Sequence, residues 1–338
     1  MDPQMTRVVL LEDYLDYARR MPCVGQLAQR VDLQIYTTKA ASDAETVERT
    51  RHADIVVTIR DRVVYPAPLL SQLRHLQLLS VCGVRLGHID LEAATRYGVL
   101  VCGVSPEEAA ALIAVTKPAT AEQTWNLILG LVKETTLNDR RMREGHWQTR
   151  PSRGLTGKTL GLVGLGMIGK RVAEIGKAMR MRVIAWSPHL TAERARQSGA
   201  ECVPFRQIFT ESDVVSIHAP MLPENRHMVG EDQLRWMRPH AFLVNTARAA
   251  LVDEQALRRA LENRTIAGAG FDVYWEEPLP SDHWLRHQEN VLLQPHLGGF
   301  TEKGYEGLIA PAIANVVAFL DGSPKNMINA EVLETRNN

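Results

Sequence analysis

The sequence predicts an α/β protein with two doubly wound, parallel-sheet domains. Short apolar runs alternate with amphipathic stretches in two series, one before residue 105 and one after residue 157. Strands that alternate with helices are typical of a parallel sheet covered by helices on both faces. A largely helical segment separates the two series, and 338 residues are enough for two domains.

The first series predicts strands at residues 7–11, 55–59, 76–81 and 99–102, with helices at 69–73 and 91–97. A longer helix is predicted over 119–143, because apolar residues recur there at helical spacing, from Ala121 and Trp125 to Ile128 and Val132. A helix of this length can bridge two domains. The polar, glycine-containing stretch 145–157 predicts a loop.

The second series starts at Lys158. It predicts strands at residues 159–163, 182–186, 214–218, 241–245, 267–271 and 291–294, with helical patterns in most of the gaps. Six such strands fit a dinucleotide-binding fold. A final helix, predicted at 305–321, is expected to return to the first domain.

Composition excludes several classes of function. The 39 basic and 39 acidic residues give a net charge of zero, which argues against a nucleic-acid-binding protein. Four separated cysteines with no CxxC pair indicate neither a disulfide framework nor a metal site. The N-terminus lacks a signal-peptide pattern, and no apolar run reaches about 18 residues, so we expect a cytoplasmic protein with no membrane span.

The segment 164–169, with the sequence GLGMIG, matches the GxGxxG motif. A predicted strand precedes it and a helical pattern follows, as a Rossmann-like fold requires. Gly164 allows the tight turn, Gly166 lets the backbone approach a pyrophosphate, and Gly169 permits close helix–strand packing. The alternative is an ordinary glycine turn in a βαβ unit. The context favours a dinucleotide site, with the phosphates at the helix N-terminus.

The residue at the end of the next strand bears on the choice of dinucleotide. An NAD site usually has an acidic residue there for the ribose hydroxyls, but this chain has Ser187. Serine can bind the 2′-hydroxyl, yet it does not repel a 2′-phosphate, and Arg194 or Arg196 can reach one. NAD is favoured because no arginine directly follows Ser187, and NADP stays open.

Four further blocks occur in order: LTGKTLGLVGLGMIGKRVA (155–173), SDVVSIHAPMLPENRHMVG (212–230), MRPHAFLVNTARAALVDEQAL (237–257) and AGAGFDVYWEEPLPSDHWLRHQENVLLQPHLGGFT (267–301). With these blocks the chain resembles the D-isomer-specific 2-hydroxyacid dehydrogenases over nearly its whole length. The resemblance implies three catalytic residues. Arg248 follows the Asn-Thr strand end, Glu277 stands five residues after Asp272 and before a proline, and His296 lies in a Pro-His-x-Gly segment.

These residue types suit the interconversion of a 2-oxo acid and a D-2-hydroxy acid. The fork of Arg248 can hold the substrate carboxylate and polarise its carbonyl. Protonated His296 can donate a proton to the carbonyl oxygen as hydride reaches the 2-carbon, and it can take the proton back in reverse. Glu277 is expected to favour the charged imidazole near neutral pH. Singly, each residue also fits a surface or turn role; the ordered set at strand ends favours catalysis.

The resemblance also implies which residues bind the other ligands. For the cofactor these are Gly164, Gly166, Met167, Ile168, Gly169, Ser187, His218, Ala219, Pro220, Thr246, Ala247, Asp272 and Gly298. For the substrate carboxylate they are the backbone N–H groups of Gly83 and Val84. Arg60 is a candidate for a second acidic group on the substrate, and a surface salt bridge is an equal alternative. Glu122 is expected to be structural.

The resemblance further implies a cofactor domain, 119–308, inserted into a substrate domain, 1–118 plus 309–338, with a cleft between them. A homodimer is expected. Two features depart from the family: Ala249 and Ala250 follow the arginine where glycine is usual, and the stretch 105–119 is longer, predicting an extra helix at 106–115. Three alternatives stay open: a dinucleotide-sensing binding protein, a phosphoglycerate dehydrogenase, and formate or phosphite oxidation, against which Glu277 counts because formate enzymes generally have glutamine there.

Overall fold

A computed structural model describes residues 5–336, and the chain in it divides into two compact units. One unit comprises the residues up to Ala114 together with those from Glu302 onward, and the other comprises Val115–Thr301. The second unit is therefore inserted into the chain of the first. Residues 1–4 and 337–338, which the sequence analysis assigns to the substrate domain, lie outside the described residues.

The strands in chain order are β1 (Arg7–Leu11), β2 (Asp32–Ile35), β3 (Ile55–Ile59), β4 (Leu78–Cys82), β5 (Leu100–Cys102), β6 (Thr159–Val163), β7 (Arg182–Trp186), β8 (Glu201–Cys202), β9 (Val214–Ile217), β10 (Phe242–Asn245), β11 (Gly268–Phe271) and β12 (Val291–Leu293). The helices are α1 (Pro22–Leu27), α2 (Asp43–Thr50), α3 (Ala67–Leu70), α4 (Leu91–Arg96), α5 (Pro106–Lys133), α6 (Thr135–Arg143), α7 (Met167–Ala178), α8 (Ala192–Gln197), α9 (Phe205–Glu211), α10 (Glu231–Trp236), α11 (Glu254–Glu262), α12 (Glu302–Leu320) and α13 (Val332–Arg336).

The first unit contains a parallel sheet with the order β2-β1-β3-β4-β5. This is a doubly wound order of the flavodoxin type. Helix α12 packs on the sheet, where Ser80 Oγ donates a hydrogen bond to the Ala312 carbonyl at 2.9 Å. The prediction that the last helix returns to the first domain is confirmed. Strand β2 escaped prediction because its sequence, DLQI, has no apolar run.

The second unit contains a parallel sheet with the order β12-β11-β10-β9-β6-β7-β8. From β8 inward this is the Rossmann order 3-2-1-4-5-6, extended by β12, and it confirms the predicted fold class. Successive residues such as Leu162 and Val163 belong to different apolar clusters, so both faces of the sheet are covered. The strand order reverses between β6 and β9, which is where such sheets bind ligands. Strand β8 was missed because both of its residues are exposed.

Helix α5 differs from the sequence prediction in two ways. It is continuous through Pro118, whereas a short helix at 106–115 and a separate helix from 119 were expected. Proline removes one backbone donor and strains a helix, but the apolar pattern on both sides of it overrides that effect. The predicted helix over 119–143 is instead interrupted at Glu134, whose φ of 52° is left-handed, and α6 begins after it.

Within residues 5–336, no helix combines the length and the apolar character that a membrane crossing requires.

Candidate active site

His296 and Glu277 form a hydrogen-bonded pair in the second unit. His296 Nδ1 lies 2.6 Å from Glu277 Oε2, and Glu277 Oε1 accepts the backbone N–H of Tyr274 at 2.9 Å. The neighbouring Glu276 is exposed. Partial burial acts to raise the pKa of Glu277, but the hydrogen bond and charge of His296, together with the Tyr274 N–H and the charge of Arg248, outweigh it and lower that pKa. The pair therefore keeps a carboxylate beside the imidazole.

Asp272 anchors the segment that follows His296. Its Oδ1 accepts the Leu297 N–H at 2.9 Å, and its Oδ2 accepts the Gly298 N–H at 2.8 Å. The anchored segment includes a left-handed residue, since His296 has a φ of 55°. Asp272 is 1% exposed, and this burial raises the pKa of its carboxyl in spite of the hydrogen bonds that it accepts. These two hydrogen bonds therefore hold the backbone of the two residues that directly follow His296.

Arg248 follows β10 and is held by a side chain from the end of that strand. Asn245 Oδ1 accepts the Ala247 N–H at 3.0 Å, and Asn245 Nδ2 donates to the Arg248 carbonyl at 2.9 Å. The charge of Arg248 helps to lower the pKa of Glu277, so the guanidinium and the pair share one electrostatic environment. Ala249, which replaces the usual glycine, is 3% exposed and starts a 3-10 turn without a positive φ.

One face of α5 binds the segments that carry these residues. Thr120 Oγ1 donates to the Gly298 carbonyl at 3.1 Å, and Gln123 Nε2 donates to Asp272 Oδ1 at 2.9 Å. Thr124 Oγ1 lies 2.8 Å from Thr246 Oγ1, just before Arg248. The segments after β10, β11 and β12 are thereby attached to a single helix.

The glycine-rich turn is closely packed at two of its glycines and open at the third. Gly164 has a φ of 102°, and a Cβ there would lie 2.7 Å from the His218 carbonyl carbon. A Cβ on Gly169 would lie 2.3 Å from the Gly164 oxygen, so this turn is closely packed. A Cβ on Gly166 would meet nothing within 4 Å. Gly166 also precedes the first turn of α7 with no side-chain cap, which leaves room and N–H donors for an anion.

Two polar side chains border this turn. Ser187 Oγ accepts the Leu165 N–H at 3.0 Å, which leaves its hydroxyl hydrogen for another acceptor. His218 Nε2 lies 2.9 Å from Ser216 Oγ, and burial lowers the pKa of this histidine to about 4. His218 is therefore neutral near physiological pH.

The cofactor-binding candidates lie at the same edge of the second sheet. They follow the carboxyl ends of its strands: Gly164, Gly166, Met167, Ile168 and Gly169 after β6, Ser187 after β7, His218, Ala219 and Pro220 after β9, Thr246 and Ala247 after β10, Asp272 after β11 and Gly298 after β12. Met167 is 62% exposed, unlike Gly169, which lies two residues further along the motif and is buried.

The three substrate-binding candidates all belong to the first unit. Gly83 follows β4 and has a φ of 133°. A Cβ added at this position would lie 3.6 Å from Arg60 Cγ. Arg60 follows β3, has a left-handed φ of 56°, and donates its backbone N–H to the Cys82 carbonyl. Val84 is 49% exposed. These residues lie together at the carboxyl edge of the first sheet.

Four residues that support the site were not identified as such from the sequence: Thr120, Gln123, Thr124 and Asn245. Asn245 had a usable signal, because a buried polar residue ending an apolar strand needs hydrogen-bond partners. The three α5 residues had none, since their partners lie more than a hundred residues away in sequence.

Comparison with known proteins gives the same family as the motifs. Residues 125–298 match the model described as the D-isomer specific 2-hydroxyacid dehydrogenase, NAD binding domain. The chain is 38% identical to a glyoxylate reductase of Aeropyrum pernix, over 92% of this chain and 93% of that one. It is 35% identical to a glyoxylate reductase of Thermococcus litoralis, over 87% and 89%. A crystal structure of a phosphoglycerate oxidoreductase from Vibrio cholerae superposes with a TM-score of 0.83, at 31% identity, covering 94% of this chain and all of that one.

Proposed function

Because this chain belongs to the D-isomer-specific 2-hydroxyacid dehydrogenase family, it is an enzyme that interconverts a 2-oxo acid and a 2-hydroxy acid with a nicotinamide cofactor, and we propose that Arg248, Glu277 and His296 carry out the reaction. The observation that carries the proposal is the 2.6 Å contact between His296 Nδ1 and Glu277 Oε2. It commits one ring nitrogen to the carboxylate, which supports the proposal that the other transfers the proton.

The side chains divide the chemistry as follows. Arg248 binds the substrate carboxylate through its planar fork and polarises the carbonyl. His296 donates a proton from Nε2 to the oxygen on which negative charge develops, and it accepts that proton in the oxidative direction. Glu277 stabilises the imidazolium. A bound nicotinamide supplies or accepts the hydride at the 2-carbon.

Cofactor binding is assigned to the residues at the carboxyl edge of the second sheet. The support is the turn described above, which is closed around Gly164 and Gly169 but open at Gly166. We assign NAD rather than NADP as the preferred cofactor, since no arginine directly follows Ser187 and the next two residues are Pro188 and His189. The cofactor domain is taken as 119–308 and the substrate domain as 1–118 plus 309–338.

For the substrate, we propose a small 2-oxo acid of the size of glyoxylate. The two glyoxylate reductases among its relatives support this choice. A phosphorylated acid is the second candidate, because Arg60 stands beside Gly83 and the Vibrio cholerae structure is named a phosphoglycerate oxidoreductase. Gly83 and Val84 are assigned to the substrate carboxylate in either case.

The test is loss of reduced-nicotinamide absorbance, with NADH and NADPH in parallel, against glyoxylate, hydroxypyruvate, pyruvate, 2-oxobutyrate, phenylpyruvate and 2-oxoglutarate. Oxidation of 3-phosphoglycerate is measured beside them. His296→Ala should retain NADH binding and lose roughly 10²-fold or more in turnover. Turnover by this variant near the wild-type rate would remove His296 from the mechanism.

We further propose a homodimer and a cytoplasmic location. The dimer is supported by α6, none of whose residues is buried, and by Met142 and Trp147, which are 52% and 75% exposed. Light scattering of the wild type and of Trp147→Glu tests it. The cytoplasmic location is supported by Cys23, Cys82, Cys102 and Cys202, all of which are free thiols. Cell fractionation tests that assignment.

A further inference from the structure

Gln123 is a half-buried residue on α5 that the proposed reaction does not use. Its side-chain amide donates a hydrogen bond of 2.9 Å to Asp272 Oδ1 and lies 3.4 Å from Gln294 Oε1. Asp272 in turn accepts the backbone N–H groups of Leu297 and Gly298. A chain of hydrogen bonds therefore runs from α5, through one carboxylate, to the segment that begins at His296.

Burial of the carboxylate in the middle of this series of hydrogen bonds is energetically unfavourable. Asp272 is 1% exposed, and burial disfavours its charged form. The two backbone N–H groups and the amide of Gln123 offset that cost, because hydrogen bonds to a charged acceptor are stronger than those between neutral groups. Asp272 Oδ1 accepts hydrogen bonds from the Gln123 amide and from the Leu297 N–H. Without the amide only the Leu297 N–H remains at Oδ1, and Asp272 is protonated more easily.

The segment that Asp272 holds is under backbone strain. His296 is left-handed, a conformation that costs about 1–2 kcal/mol for a residue with a Cβ. Such a conformation persists only where neighbouring contacts enforce it. The contacts here include the hydrogen bonds that Asp272 accepts immediately after His296, besides the one that the His296 N–H donates to the Gln294 carbonyl at 3.0 Å.

We propose that Gln123 is a positioning residue for His296 and that it acts through Asp272. The inference rests on the proposed role of His296 as proton donor. Gln123 keeps the Asp272 carboxylate ionised and in place, and the ionised carboxylate holds Leu297 and Gly298 so that the imidazole keeps its orientation. Gln123 itself contacts neither reacting group.

The surroundings of Asp272 determine the expected pH dependence. The charged group that faces Asp272 is His296, whose positive charge favours the ionised carboxylate. The titratable Tyr274, on the same segment as Glu277, also interacts electrostatically with Asp272. Loss of the Gln123 donor raises the pKa of Asp272 further. As the pH is lowered, the rate of oxo-acid reduction should therefore begin to fall at a higher pH in a variant without this donor than in the wild type. The alkaline limb of the pH profile should stay in place.

The experiment compares Gln123→Met with a matched control, Gln207→Met. Gln207 is also half-buried on a helix of the second unit, and its amide donates to the Glu211 carboxylate at 2.7 Å, so both variants lose the same kind of hydrogen bond. Gln123→Met should lower kcat about tenfold at neutral pH and shift the acidic limb upward by about one pH unit. Gln207→Met should change neither. An unmoved acidic limb in Gln123→Met would overturn the proposal.

The double variant tests the path. In an Asp272→Asn background there is no carboxylate to keep ionised, so adding Gln123→Met should lower kcat by less than twofold. A full tenfold further loss would show that Gln123 acts independently of Asp272, and the proposal would be wrong.

A second readout separates this proposal from the proposed reaction. The ¹⁵N signals of the His296 imidazole, assigned by their absence in His296→Asn, report the ionisation of Asp272 as a small second step in their titration. That step should move to higher pH in Gln123→Met and stay in place in Gln207→Met. Movement of the step without turnover on any substrate would retain the positioning role and reject the reaction, whereas turnover with an unmoved step would reject the positioning role alone.

Discussion

Glu277 Oε2 lies 2.6 Å from His296 Nδ1, so the carboxylate faces one nitrogen of the imidazole ring. With that nitrogen bound to the carboxylate, the exchangeable proton in the proposed reaction is the one on Nε2. The second oxygen of Glu277 is held by the Tyr274 N–H, so the carboxylate cannot rotate without losing a backbone hydrogen bond. The group that we propose as the acid–base catalyst is thus oriented by contacts within the protein.

The first prediction concerns the charge of Glu277. Glu277→Gln keeps the shape but removes the carboxylate charge that stabilises the protonated imidazole. As the pH is raised, reduction of the oxo acid by Glu277→Gln should therefore begin to decline at a lower pH than reduction by the wild type. At neutral pH, kcat should fall about 10²-fold. Steady-state pH profiles measure this, with Glu276→Gln at the exposed neighbour as the control. Identical profiles for the two variants would exclude an electrostatic role.

Arg248 is the subject of the second prediction. Arg248→Lys retains the positive charge but loses the planar fork that matches a carboxylate. We expect kcat/KM for the oxo acid to fall about 10²-fold, while the Kd for NADH from fluorescence titration changes little. Arg235→Lys, at an exposed position of α10, is the control. Equal loss of NADH affinity would mean that Arg248 acts mainly on the cofactor.

The end of β7 gives the third prediction. Ser187→Asp introduces a negative charge that repels a 2′-phosphate and accepts hydrogen bonds from a ribose diol. The ratio of kcat/KM with NADH to that with NADPH should rise at least about tenfold. Ser198→Asp adds the same charge at the end of α8 and should leave the ratio unchanged. A ratio unmoved by Ser187→Asp would separate this residue from the ribose.

The fourth prediction separates two glycines of one motif. Gly169→Ala places a methyl group 2.3 Å from the Gly164 oxygen, so the backbone must shift and the protein should lose about 1–3 kcal/mol of stability. Gly166→Ala meets nothing within 4 Å and should cost less than about 1 kcal/mol. Its methyl group should instead weaken NADH binding about tenfold or more by keeping the phosphates away. Thermal unfolding and NADH titration together test this, and undiminished NADH affinity in Gly166→Ala would contradict the assigned phosphate position.

The sequence contains most of the fold because local signals and the final structure agree. The strands predicted at 7–11, 55–59, 159–163 and 182–186 are confirmed residue for residue, since each is a buried run ending at a turn. The misses have physical reasons: the edge strand β2 is polar, β8 has two residues, and the apolar pattern around Pro118 carries α5 through a residue that usually ends helices.

The candidate site was less accessible to prediction. Short motifs identify the reacting side chains, but the contacts that orient them depend on distant parts of the chain. Gln123 and Asp272 are separated by 149 residues, and no local pattern around Gln123 distinguishes it from an ordinary polar position on a helix. Only the folded chain reveals that they touch.

The left-handed backbone at His296 also limits how this protein can diverge. Asparagine, aspartate and glycine adopt that conformation readily, whereas valine, isoleucine and threonine do not. A descendant that gave up catalysis but kept the fold, as a dinucleotide sensor would, is expected to carry one of the tolerated residues at position 296. In lineages without the activity, one of these residues at position 296 would therefore still indicate the left-handed backbone.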